Sequence, residues 1–144
     1  MQQRVQHVLS LALLLVTIPV VVQPQALTAD DRTAIQTVIE RQIEAFRKDD
    51  AAGAFAFASP SIREKFGTAE HFLHMVQTGY QPVYRPQHVT FKDLRLVNGV
   101  PTQQVLLVGP DKVPVMALYA MEKQPDGAWK IDGCYLMSFK GEKL

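Results

Sequence analysis

The sequence predicts an α+β domain in which N-terminal helices pack on a curved, roughly four-stranded antiparallel sheet. Three observations predict it. Apolar residues recur at helical spacing between Thr28 and Gly79. From His88 onward the chain changes to runs rich in β-branched, aromatic and aliphatic residues. Short turn-forming segments separate those runs, and short turns join strands that lie antiparallel.

The first helix opens at Thr28, whose hydroxyl can cap free amides while Asp30 and Asp31 favour the positive end of the helix dipole. Ile35, Val38, Ile39, Ile43 and Phe46 then form one apolar stripe to about Lys48, so one face is buried. Asp49 or Asp50 can cap a second, shorter helix over residues 51–58. Ser59 and Pro60 restart the chain with proline at a first helical position, and Gly67 stops that third helix. Thr68 opens the last helix, with Ala69, Phe72, Leu73 and Val76 on its apolar side and Gly79 at its end. The segment 80–86 is expected to be a stiff non-helical connector, because Pro82 and Pro86 each push the preceding residue toward extended geometry.

Strands are expected over residues 89–97, 102–108, 113–123 and 129–139. Their separators are Asn98-Gly99, the stretch 109–112 and the stretch 124–127, all with turn chemistry. Along the last strand Trp129, Ile131, Tyr135 and Met137 occupy odd positions, yet Cys134 and Leu136 break the polar alternation after Gly133. A bulge at Gly133 would explain the switch.

Ahead of this domain stands a different kind of sequence. Arg4 precedes an apolar run of 15 residues from Val8 to Val22, followed by the polar exit Gln23-Pro24-Gln25-Ala26. That order is the one a secretory signal has, and the run is short of the roughly 20 apolar residues a spanning helix needs. Residues 1–26 are therefore expected to be a signal peptide and residues 27–144 one domain, exported to the periplasm or secreted. Contact with a membrane is expected only through this segment left uncleaved.

Removing residues 1–26 takes away Arg4 and no acidic residue, leaving 14 basic and 14 acidic side chains. A neutral domain without a basic stripe lacks the electrostatic term behind nucleic-acid affinity, so no nucleic acid is expected as partner. Cys134 is the only cysteine, so no intramolecular disulfide can form.

The segment Ala45 to Pro60 (AFRKDDAAGAFAFASP) resembles the early region of SnoaL-like proteins, relatives of nuclear transport factor 2 with a cone-shaped fold. Phe55, Phe57, Ile62-Arg63, Phe66-Gly67, Phe72-Leu73, Met75-Val76, Tyr80, Pro82 to Pro86 and Gly133-Cys134 together resemble an exported bacterial family of unknown function. The resemblance implies a helical cap over a curved sheet with room for a pocket between them. It brings no catalytic residues to these positions.

Gln42 is the leading site candidate, because an amide sits inside the first helix's apolar stripe and must find a buried partner or face a cavity. Tyr80, Tyr84 and Arg85 share the proline-rich connector and could form a pocket rim for an acidic or aromatic ligand. Equally, the tyrosines could close the open end of the sheet while Arg85 pairs with an acidic neighbour. His71 and His74 have a spacing that two imidazoles can use on one metal, but they fall opposite the apolar stripe, and His88 lies across the connector, so no metal is expected. No spacing activates Cys134 as a nucleophile, Asp132 has no evident role as a base, and neither G-x-S-x-G, G-x-x-x-x-G-K nor G-x-G-x-x-G occurs. No catalytic residue and no cofactor are expected.

These readings converge on a non-catalytic exported module that holds a small ligand or docks a protein partner. Two alternatives stay open: a cofactor-free pocket enzyme of isomerase, dehydratase or hydrolase type, and a structural protein that self-associates, for example as a homodimer, through the outer face of the sheet.

Overall fold

A computed structural model describes residues 26–139, so the expected export segment lies outside the described residues except for Ala26. The helices are α1 (Ala29–Arg47), α2 (Ala51–Ala56), α3 (Pro60–Phe66), α4 (Ala69–Gly79) and α5 (Gln81–Tyr84). The strands are β1 (His88–Val97), β2 (Val100–Val108), β3 (Pro114–Lys123) and β4 (Trp129–Ser138). They form one antiparallel sheet in the order β1-β2-β3-β4, so every neighbour in space is a neighbour in sequence. The helices precede the sheet and pack against one face of it, which is the α+β class the pattern predicts.

Local chemistry accounts for the boundaries. Thr28 and Asp31 form a reciprocal capping box at the start of α1, each side chain taking the other's backbone amide at 3.0 Å. Asp50 caps α2, Ser59 caps α3 and Thr68 caps α4, each accepting an amide from three residues downstream. The β1–β2 turn places Asn98 and Gly99 at φ of 50° and 79°, the left-handed pair that a two-residue hairpin of this twist demands. This tight turn lets Val97 pair with Val100, so β2 begins two residues before the sequence pattern suggested.

One expectation is corrected. The segment 80–86 contains a helical turn, α5, with Tyr84 N–H donating to the Tyr80 carbonyl and Arg85 N–H to the Gln81 carbonyl, both at 2.9 Å. Pro82 falls in the first turn, where its missing N–H has no intrahelical partner to lose and its fixed φ suits a helix. The prolines confine this helix to one turn but do not abolish it.

The core lies between the helices and the inner face of the sheet. Ile35, Ile39 and Phe46 of α1 and Phe72 and Val76 of α4 meet Val105, Ala117, Tyr119, Met121 and Ile131 from the strands, all buried. Phe72 is the hub of an aromatic cluster, with ring centroids 5.9 Å from Phe46, 5.4 Å from Phe55 and 5.6 Å from Phe66. Such tilted and edge-on pairs add to the burial of the rings themselves.

The bulge in β4 is present. Ala120 pairs with Gly133 and Met121 with Ile131, so Asp132 is the extra residue. Before it Trp129 and Ile131 face inward; after it Cys134 and Leu136 pack toward the core while Tyr135 and Met137 are 65 % and 55 % exposed. One inserted residue thus exchanges the two faces of the strand. The β4 margin is also tied to the helices: Ala58 forms a parallel bridge with Ile131, flanked by Ser59 N–H to the Ile131 carbonyl and Ile131 N–H to the Phe57 carbonyl, both at 2.8 Å.

Candidate functional site

Between the helices and the β3–β4 half of the sheet lies a cavity of about 170 Å³. Phe46, Phe66, Phe72, Val76, Val83 and Ile131 make its walls apolar, and the exposed side chains of Lys65 and Tyr135 stand at its opening. Its polar groups are few: Gln42, Tyr80, Tyr119, Asp132 and Cys134. An apolar hollow with a handful of convergent polar atoms is the usual form of a small-molecule site.

Each polar group is placed by the pattern of its element. Gln42 is carried inward by the α1 stripe and is buried, and its Nε2 donates to the Ala54 carbonyl at 3.1 Å. That bond fastens α1 to α2 and turns the amide's nitrogen away from ligand duty, while the residue still lines the cavity. Tyr119 points inward because it shares the pleat of β3 with Ala117 and Met121, all three buried. Its hydroxyl is wholly enclosed, with no surface open to the cavity, and its polar neighbour is the Cys134 thiol rather than an oxygen or nitrogen. Burial holds its phenol well above its ordinary pKa.

Cys134, directly opposite Tyr119 across the β3–β4 ladder, keeps some accessible surface where the cavity reaches it, but protein otherwise surrounds the thiol. Burial pushes that thiol up to about 12, against a partial lowering by the neighbouring Tyr119 hydroxyl. Burial thus favours the protonated thiol, which makes Cys134 a neutral part of the wall. Tyr80 also has its phenol raised, by burial first and by the nearby Cys134 and Tyr135 next. Tyr80, Tyr119 and Cys134 are therefore all held in their neutral forms.

Asp132, exposed to the cavity by the bulge, spends one carboxylate oxygen on two hydroxyls. Oδ1 accepts from Ser59 Oγ at 2.6 Å and Ser61 Oγ at 2.7 Å. Since Ser59 also caps α3, this cluster clamps α3 onto β4 and defines one wall of the cavity.

Tyr84 and Arg85 are elsewhere. The Tyr84 hydroxyl donates to Asp49 and Arg85 Nη2 reaches Asp49 Oδ1 at 3.0 Å, with the guanidinium 3.8 Å above the Tyr84 ring. Arg85 also donates to the Phe46 carbonyl at the end of α1. The Tyr84 hydrogen bond first, and Arg85 second, hold the Asp49 carboxyl below its usual range. The pair locks α5 against the α1–α2 corner and does not line the cavity. Of the four candidates, the structure brings Gln42 and Tyr80 together and sets Tyr84 and Arg85 apart.

The residues that sequence reasoning passed over are Tyr119 and Gln103. Strand alternation from Val115 to Met121 carried the signal for Tyr119, a phenol on the side that also holds Ala117 and Met121. Gln103 pairs with Tyr119 in the sheet and is wholly buried; its Nε2 donates to the Lys92 and Gln104 carbonyls at 3.0 and 2.9 Å, closing the irregularity in β1 between Phe91 and Leu94. Its Oε1 is unpartnered, like the Tyr119 hydroxyl.

A second recess between α1 and β1, lined by Glu40, Ile43, Arg47, Val89 and Phe91, is open and contains no such orphaned buried atom. His71 spends Nδ1 on the Phe66 carbonyl at 2.9 Å, and His74 and His88 are exposed. Among the described residues no three His, Cys, Asp or Glu side chains gather where they could hold a metal ion. No helix among those residues is long and apolar enough to cross a membrane.

None of the curated proteins matches this sequence. A family model described as "Domain of unknown function (DUF4864)" matches residues 28–144, which takes in every described residue from the α1 cap onward. The chain belongs to the DUF4864 family.

Proposed function

We propose that the protein is an exported, non-catalytic module that holds a small, partly apolar ligand in the cavity between α1, α3, α4 and the β3–β4 hairpin. The observation that carries the reading is the hollow itself, about 170 Å³ with apolar walls and a few polar side chains, Gln42, Tyr80, Asp132 and Cys134, around it. Against catalysis stands the neutrality of Cys134, Tyr80 and Tyr119 and the engagement of Asp132 Oδ1 by two serines. A helical cover over one face of the sheet is also the arrangement that the SnoaL-like resemblance implies. Export rests on Arg4 and the apolar run from Val8 to Val22.

Native mass spectrometry of the protein purified from the cell envelope tests both parts. The expected result is a polypeptide shortened by about the first 26 residues that carries a reproducible small adduct. A full-length mass removes cleavage from the proposal, and a chain that stays empty after gentle isolation removes the resident ligand.

A second reading, self-association, is favoured by the outer face of the sheet. Leu106, Met116, Leu118 and Met137 lie across β2, β3 and β4 on the side away from the helices, with Met137 exposed. Sedimentation should give a dimer that Met137→Glu dissociates; a native protein that stays monomeric at high concentration excludes this reading.

A further inference from the structure

Resting on the reading that the cavity takes a ligand, we infer that the ligand is a small primary amine, its ammonium group held by Asp132 and its apolar body filling the hollow. Asp132 is the half-buried carboxylate that the β4 bulge sets in the cavity wall. Its Oδ1 already accepts the hydroxyls of Ser59 and Ser61, at 2.6 and 2.7 Å. No donor among the described residues reaches Oδ2, and this oxygen is not sealed off as the Tyr119 hydroxyl is. The serines thus fix the carboxylate and leave its second oxygen to accept from a ligand.

Nor does a cation of the fold balance that carboxylate. Lys130, its neighbour in β4, donates Nζ to the Ala56 carbonyl at 2.7 Å. Lys65 stands one helical turn beyond Ser61 in α3, within reach of the cluster. Yet its ammonium lies over the Phe66 ring, 5.7 Å from the centroid, and makes no salt bridge among the described residues. A half-buried carboxylate without a counter-ion is stabilised by a cation brought to it.

The rest of the lining agrees. Gln42 spends Nε2 on the Ala54 carbonyl and leaves Oε1 as a second open acceptor, and the Tyr80 hydroxyl can accept as well. An ammonium brings three donors to such acceptors, whereas a ligand carboxylate would meet Asp132 with like charge. Phe66, Phe72 and Tyr80 add aromatic surface, which attracts a cation as aliphatic walls do not. The hollow holds about 170 Å³, slightly more than an apolar cavity of about 150 Å³ that accommodates benzene. The body of the amine is therefore about one six-membered ring, and a fused polycycle exceeds it.

The test compares benzylamine, benzyl alcohol and benzoate by calorimetric titration at neutral pH into the native protein and into Asp132→Asn. The three share a ring and differ in the charge of the head. The native protein should bind benzylamine about tenfold tighter than benzyl alcohol, and benzoate more weakly than either. Asparagine keeps an oxygen for the two serines and so puts an N–H donor where Oδ2 stood. In Asp132→Asn the preference for benzylamine over benzyl alcohol should fall to about one while benzyl alcohol affinity is retained, which also shows that the variant is folded.

Equal affinity of the native protein for benzylamine and benzyl alcohol overturns the inference, and needs no variant to be seen. A preference for benzylamine that survives in Asp132→Asn overturns it too, since the cation is then held elsewhere. Benzoate binding as tight as benzylamine does the same and gives the choice of charge to Lys65. If none of the three binds, the small-ligand reading of the cavity fails and this inference falls with it. Benzyl alcohol binding without a preference for the amine leaves the cavity reading standing and removes only the chemistry assigned to its ligand.

Discussion

Asp31 does two jobs with two oxygens. Oδ2 closes the capping box by accepting the Thr28 amide, while Oδ1 accepts from Lys123 Nζ at 3.0 Å and Trp129 Nε1 at 3.2 Å, across the β3–β4 turn. The Thr28 backbone hydrogen bond first, and Lys123 next, hold its carboxyl well below the usual carboxylate range. A depressed folded pKa means that this contribution is fully present above the unfolded value of about 3.9 and is lost as pH falls through and below it. Asp31→Asn should therefore lower the urea midpoint at pH 7, and its deficit relative to the native protein should shrink as pH falls from about 5 to 2. A deficit that stays constant over that range would show that the carboxylate's charge contributes nothing. Asp49, depressed by Tyr84 and Arg85, gives an acid-labile contribution of the same sign, so the variant keeps part of its own acid sensitivity. The cap itself was legible in Thr28-Ala-Asp-Asp. Its tie to Trp129 was not, because 98 positions separate the two and no local pattern encodes that meeting.

Elements with strict periods were the readable ones. The α1 stripe, the four strands and the β4 bulge follow from spacing, since a period of 3.6 or 2 decides which side chains share a face. The α5 turn was misread because the avoidance of helix before proline competes with proline's fitness for a first helical turn, and here the latter won. The cavity itself was only half legible: Gln42 stood out as a break in a stripe, but which helix faces leave a gap over Tyr119 depends on how separate elements meet. The seating of α5 shows how tight those meetings are. A Cβ on Gly109, just after β2, would lie 3.0 Å from the Pro82 Cα. Because the neighbour is backbone, α5 must shift to accept it, so Gly109→Ala should cost about 1–3 kcal/mol in a denaturation curve. An unchanged midpoint would mean that α5 rides freely on the sheet.

At the scale of the whole molecule the sheet is sequentially local and the helix-to-sheet contacts are not. Each hairpin can form from its own turn, whereas α1 finds its apolar cover, and Asp31 its partners, only when β3 and β4 are in place. The Ala58–Ile131 bridge and the Ser59–Asp132 bond impose the same requirement on α2 and α3. A chain ending at Pro125 should accordingly show no cooperative unfolding transition by circular dichroism, although its first three strands are intact. A sharp transition in that fragment would locate the cooperative unit elsewhere. Ribosomes deliver the helices first and β4 last, so the nascent chain carries Ile35, Phe46 and Phe72 for most of its synthesis without the strand that completes their cover. Under the proposed export, the chain's own order of elements would delay premature closure and leave it in a threadable state until its final strand has been made.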